Sequence, residues 1–142
     1  MDRRHNYSVI SGGGGGGAYG PGLLNGWTEM GDRPEFQIVT GISTGALIAP
    51  FAFLGPDYDP VLREVYTQFS TKDLTDQRGP LEIIRGDSVN STRPLRQKIA
   101  AYLNNDVLAE IAAEGCKGRS LLVGATNLDA GRPMVWDLSL IH

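Results

Sequence analysis

Phe36-Gln37-Ile38-Val39-Thr40-Gly41-Ile42-Ser43-Thr44-Gly45, running directly into an apolar stretch at residues 46–54, decides the fold. Residues 36–40 are short, apolar and rich in β-branched side chains, which predicts a buried strand. Residues 46–54 are apolar at helical length and are stopped by Gly55-Pro56, which predicts a helix. Between them Gly41-Ile42-Ser43-Thr44-Gly45 matches the G-x-S-x-G elbow. The pattern has a physical reason. A serine on a sharp strand-to-helix turn takes a strained backbone conformation, and side chains two residues to either side would collide. Glycine at both flanks, Gly41 and Gly45, relieves the collision. The Ser43 hydroxyl then projects at a helix N-terminus, where free N–H groups and the helix dipole favour developing negative charge. The bland alternative is a plain strand-to-helix turn with an N-capping serine.

One unit upstream the same logic recurs. Tyr7-Ser8-Val9-Ile10 predicts a strand, and residues 18–30 carry Leu23, Leu24 and Trp27 at helical spacing. The run Gly12-Gly13-Gly14-Gly15-Gly16-Gly17 lies between them. Bare backbone N–H groups there face the N-terminus of a helix, a ready site for an anion. Gly12, Gly14 and Gly17 also satisfy G-x-G-x-x-G, with Asp32 placed for a ribose contact, so a nucleotide-binding module is the alternative function. Six consecutive glycines meet that pattern by saturation. A dinucleotide fold has no need of a second glycine-flanked serine one strand later, and this favours the elbow.

Downstream, Asp59 as N-cap with Pro60 at the first helical position predicts a helix to about residue 69. Residues 71–92 are mixed and polar, with one apolar piece at 81–84. Helices are expected at 94–103 and 106–114. Strands are expected at 120–125 and 133–139, joined as a hairpin through Asp129-Ala130-Gly131. Alternating strands and helices predict an α/β sheet packed against helices.

The 142 residues suffice for one domain with a real core. Net charge is −3, and Lys and Arg are nowhere concentrated, which argues against nucleic acid as a partner. The single cysteine, Cys116, excludes an internal disulfide and a cysteine-based metal cage. His5 and His142 stand at the two extremes of the chain, an arrangement poorly suited to a Ser–His–Asp triad; only Ser43, Asp137 and His142 formally meet the order. No stretch is long enough to span a membrane, and the N-terminal apolar run is too short for a signal peptide. A cytoplasmic or membrane-peripheral location is expected. Phe51, Phe53 and Leu54 near the elbow are expected in the helix core, with a membrane-facing lip as the alternative.

The glycine loop with Ala18-Tyr19 and Gly22-Leu23, the elbow at Gly41 to Gly45, and Ala125-Thr126-Asn127-Leu128-Asp129 with Gly131-Arg132-Pro133 together resemble the patatin-like phospholipase family. The resemblance spans nearly the whole chain, read as one domain over residues 1–142. It implies a three-layer α/β/α sandwich that hydrolyses acyl esters of lipids with a Ser–Asp dyad. It implies Ser43 as nucleophile and backbone N–H groups of Gly12, Gly13 and Gly14 as oxyanion hole, with no metal or organic cofactor. The implied partner is a lipid or ester substrate, with peripheral membrane contact. Two features depart from the family pattern. Gly16 stands where the family often has a basic residue. The family's dyad aspartate lies in an Asp-Gly-Gly or Asp-Gly-Ala turn, and this sequence has no Asp-Gly pair. Asp129 and Asp137 do not match that motif. The expectation is therefore a C-terminally incomplete domain that stops before its catalytic base, with an inactive lipid-binding fragment as a further alternative.

Overall fold

The computed structural model describes residues 5–12, 19–73, 93–127 and 129–140. Strand β1 (Tyr7–Ile10) is followed by helix α1 (Tyr19–Met30), strand β2 (Ile38–Ile42) and helix α2 (Thr44–Leu54). A 3-10 turn (Pro56–Tyr58) leads into α3 (Asp59–Asp73). Helices α4 (Arg93–Tyr102) and α5 (Asn105–Cys116) precede strands β3 (Ser120–Asn127) and β4 (Arg132–Asp137), and a last 3-10 turn covers Leu138–Leu140.

The four strands form one sheet in the order β1-β2-β3-β4. The first three are parallel, and β4 returns antiparallel as the hairpin partner of β3. Parallel strands need crossover connections, and helices supply them. The α/β architecture expected from the sequence is the one observed, a sheet flanked by helices.

Helix α2 lies at the centre. Its residues are apolar all round, and Ile48, Ala49, Pro50, Phe51, Ala52 and Phe53 are buried. Such a helix belongs in a core rather than on a surface. It packs on β2 and also touches β1, β3, α1, α3 and α5. Val39, Leu121, Ile111, Leu62, Leu24 and Phe36 complete the core around it. Phe51 and Phe53 are therefore core residues, as expected, and form no lip.

Side chains on the opposite face of the sheet behave differently. Tyr7, Val9, Ile42 and Val135 are exposed. Their register places them on the side away from Val39 and Gly41, the residues that face α2. Among the described residues the helices cover one face, so two layers of a sandwich are in view.

Two arginines fasten the helical layer. Arg33 donates to Asp59 Oδ1 (2.6 Å), Thr28 Oγ1 (3.2 Å) and the Ala52 carbonyl (3.2 Å), joining α1, α2 and α3. Arg119 donates to the Phe36 carbonyl (2.9 Å), Glu114 Oε2 (2.8 Å) and the Phe53 carbonyl, and its guanidinium sits 4.3 Å from the Phe53 ring centroid. These contacts correct one sequence expectation. Asp59 is not an N-cap: its backbone is already helical (φ −60°, ψ −36°), and its carboxylate is taken by Arg33. The Pro56–Tyr58 turn starts the helix earlier than capping rules place it. The cap that does form is Asn104, whose side chain accepts from the Val107 N–H at the start of α5.

The expected strand at 36–40 is observed two residues later, at Ile38–Ile42. Gly41 and Ile42 remain in the ladder because they lie against Val123 and Gly124 of β3. The consequence matters for the site, since regular strand then runs up to Ser43 itself.

Candidate functional site

Strands β1 and β2 end at the same edge of the sheet, at Ile10 and Ile42, and α1 and α2 begin there. In open α/β sheets this carboxyl edge is where ligands bind. Ser43 is the residue between β2 and α2. Its backbone has φ 57° and ψ −126°, the one positive φ outside glycine among the described residues. A non-glycine residue in that region carries strain on the order of 1–3 kcal/mol, which the surrounding structure must hold in place. An N-capping serine would have extended backbone and a side-chain bond to the first turn. Ser43 has neither: its hydroxyl makes no capping bond. The plain-turn alternative therefore does not describe this residue.

The flanking glycines explain what holds the turn. A Cβ at position 41 would overlap the Gly45 carbonyl oxygen and lie 2.7 Å from Ala49 Cβ. A Cβ at position 45 would overlap the Ile10 carbonyl oxygen and lie 2.7 Å from its carbon. Only bare backbone lets the strand end, the helix start and the end of β1 approach so closely. The Ala46 N–H closes the turn on the Ser43 carbonyl at 2.9 Å.

Gly12 arrives at the same point from β1. A Cβ there would lie 2.6 Å from Ser43 Cβ, 3.0 Å from Ser43 Oγ and 3.3 Å from the Ile42 carbonyl oxygen. The structure thus brings Gly12, Gly41, Ser43 and Gly45 together. Gly13 and Gly14 lie outside the described residues. Ser43 is exposed, and its hydroxyl has no hydrogen-bond partner among the described residues.

The remaining sequence candidates fall elsewhere. Asp137 is at the far end of β4, level with Leu122, and its Oδ1 accepts from Ser139 N (3.0 Å) and Ser139 Oγ. That carboxylate is spent on the final 3-10 turn. Asp129 is exposed in the β3–β4 turn, on the Ser43 side of the sheet. His5 precedes β1 at the opposite edge, stacked near the Tyr7 ring at 6.4 Å. His142 lies outside the described residues. No group of three metal-binding side chains occurs among the described residues.

A cleft of about 860 Å³ opens at that opposite edge, between His5, Glu35, Gln37, Leu54, Lys117 and Arg119. Its size does not make it the site. The donors of Arg119 are engaged by carbonyls and Glu114, and among the described residues no non-glycine residue with a positive φ lines it. The backbone strain and the glycine approach are at the other edge.

Residues 9–129, from β1 through the glycine loop and the elbow to the turn after β3, match the patatin-like phospholipase family. The chain belongs to that family. No curated protein and no solved structure matches it. Membership in the patatin-like family makes the chain one of a group of lipid acyl hydrolases, and the α/β sheet described above is consistent with that fold. No helix among the described residues is long and apolar enough to cross a membrane.

One feature of the edge around Ser43 was not legible in the motifs. Strand β3 continues past the level of Ile42 by three residues, Ala125, Thr126 and Asn127, and pairs there with Met134, Pro133 and Arg132. The β3–β4 hairpin therefore stands beside the Ser43 edge and rises beyond it. A longer strand prediction at 120–127 would have revealed this. The polar Thr126-Asn127 pair, which reads as loop, concealed it.

Proposed function

We propose that the chain is a serine lipid acyl hydrolase in which Ser43 attacks the ester carbonyl and the glycine loop holds the resulting oxyanion. The observation that carries this reading is the strained backbone of Ser43 with Gly12 packed against it. In the reaction the Ser43 oxygen bonds to the carbonyl carbon, and the carbonyl oxygen takes up the negative charge. Backbone N–H groups of Gly12, Gly13 and Gly14, with those at the start of α2, are the donors for that charge. Collapse of the intermediate expels the alcohol and leaves an acyl-enzyme, which water then hydrolyses. The proton released by Ser43 needs an acceptor, and a carboxylate serves that role in a Ser–Asp dyad. No described carboxylate hydrogen-bonds Ser43. A general base in that position typically contributes about 10²–10⁴-fold to the rate.

The unpartnered hydroxyl also favours a second reading, a domain that binds lipid at this edge without turning it over. Hydrolysis of p-nitrophenyl butyrate separates the two. The first reading expects release above the buffer rate by the chain and none above it by Ser43→Ala. Equal release by both would remove it. Vesicle binding without release, unchanged by Ser43→Ala, would establish the second.

A further inference from the structure

Among the described lysine and arginine side chains, Arg33, Arg63, Lys117 and Arg119 each meet a carboxylate. Arg132 meets none among the described residues and makes no side-chain hydrogen bond to them. It is exposed at the first position of β4, opposite Asn127. That position is not neutral with respect to the site. Gly124 is level with Ile42, the residue before Ser43, and Asn127 is three residues further along in the strand direction. Three residues of strand advance about 10 Å, and two strand spacings, from β2 across β3 to β4, cover about 10 Å. The Arg132 backbone therefore stands roughly 14 Å from that of Ile42, above the edge where an ester would lie.

The charge around it is equally informative. The molecule carries a net charge of −3, and neither α1 nor α2 has an acidic residue in its first turn. Asp129, exposed in the same turn as Arg132, is the one acidic neighbour along the hairpin tip, and the two form no ion pair. An unpaired guanidinium beside a site for an ester offers a planar fork of donors suited to phosphate oxygens.

We propose that Arg132 is a specificity-determining residue that holds the phosphate of a glycerophospholipid while its acyl ester lies at Ser43. The proposal rests on the hydrolase reading for the position of the ester, and on the free cation and the strand register for the position of the phosphate. Arg132 takes no part in bond making. It favours acyl esters that carry a phosphate several bonds away over uncharged esters of the same chain length. Ala125, exposed on the same face of the hairpin as Asn127 and its partner Arg132, lies between the two points, where the glycerol backbone runs.

The test is a calorimetric titration of the 142-residue chain with a short-chain lysophosphatidate, the matching monoacylglycerol and glycerol 3-phosphate. It is run on the unaltered chain, Arg132→Ala, Arg132→Lys and Ser43→Ala. Expected is about tenfold tighter binding of lysophosphatidate than of monoacylglycerol, as one charge-assisted contact provides. Arg132→Ala abolishes that preference, Arg132→Lys keeps part of it, and Ser43→Ala keeps all of it. A preference unchanged in Arg132→Ala, or absent from the unaltered chain, overturns the proposal. Glycerol 3-phosphate binding as tightly as lysophosphatidate overturns it too, in favour of a site for free phosphate. Fluorophosphonate labelling of Ser43, measured alongside, keeps the two readings apart. No labelling with an Arg132-dependent preference would end the hydrolase reading alone.

Discussion

A methyl group on Gly12 would stand 2.6 Å from Cβ of Ser43 and 3.0 Å from its hydroxyl oxygen. Gly12 and Ser43, with thirty residues of chain between them, therefore meet at van der Waals limits, with no room for a side chain between them. The relationship follows from β1 and β2 being parallel neighbours whose ends share an edge. It also turns a composition anomaly, a run of glycines, into a steric requirement at one identified position.

Gly12→Ala should accordingly damage the site more than the fold. The added methyl displaces the loop from Ser43 and misaligns its backbone donors. Loss of an oxyanion donor lowers rates by about 10²–10³-fold. Fluorophosphonate labelling should slow by that order, while the thermal midpoint moves little because residue 12 is exposed. A large drop in midpoint with an unchanged labelling rate would contradict the assignment.

Gly45→Ala should do the reverse. Its methyl would overlap the Ile10 carbonyl, a backbone atom in the sheet that has nowhere to go. Overpacking of this kind costs about 1–3 kcal/mol or more, and the upper end is expected here. Gly22→Ala, in α1 with open space around position 22, is the control and should be neutral or mildly stabilising. Urea denaturation of both variants gives the comparison, and similar losses in the two would refute the steric account.

The Arg33–Asp59 pair should outweigh every surface ion pair. Its side chains are 2% and 11% exposed, so Asp59→Asn leaves a buried guanidinium short of its carboxylate, at a cost of about 3–5 kcal/mol. Arg63 and Glu29, 3.3 Å apart but 64% and 73% exposed, should contribute no more than about 1 kcal/mol. Chemical denaturation of Asp59→Asn and Arg63→Ala checks the ordering.

Acid should loosen the junction of α5 and β3. The hydrogen bond from Lys117, and then that from Arg119, hold the Glu114 carboxyl below the ordinary glutamate value of 4.5. A lowered folded-state value means that the unfolded chain takes up the proton first. The stabilisation is therefore complete above 4.5 and drains away as pH falls through the lowered value. Glu114→Gln should start less stable at neutral pH and lose less on acidification. Parallel acid-unfolding curves for the two proteins would rule this linkage out.

Much of this arrangement is readable from the chain alone, and the reasons differ by element. Tyr7–Ile10 is stopped by the glycine run that follows Ser11, so its end as a strand is legible. The elbow is legible because Gly41 and Gly45 answer a local steric demand. Ser43's backbone angles follow from that demand, although no sequence pattern states them. Asp59 misleads because its role is tertiary: Asp-Pro suits a cap, and only the approach of Arg33 from residue 33 to residue 59 converts it to an ion-pair partner. The length of β3 is hidden for a related reason. Thr126 and Asn127 stay in strand through pairing with Pro133 and Arg132, contacts that single-strand propensity does not contain. Residues 81–84, expected as a short apolar piece, and Gly13 and Gly14 lie outside the described residues.

The central claim is that Ser43 is a nucleophile prepared by its backbone and by the glycine loop. Intact-mass detection of a fluorophosphonate adduct, with peptide mapping of the modified residue, tests it most directly. The account predicts a single adduct on Ser43, formed slowly and absent from Ser43→Ala, while Thr44→Ala still labels. A folded sample that takes up no adduct on prolonged exposure, or one that is modified at another residue and equally in Ser43→Ala, would contradict it.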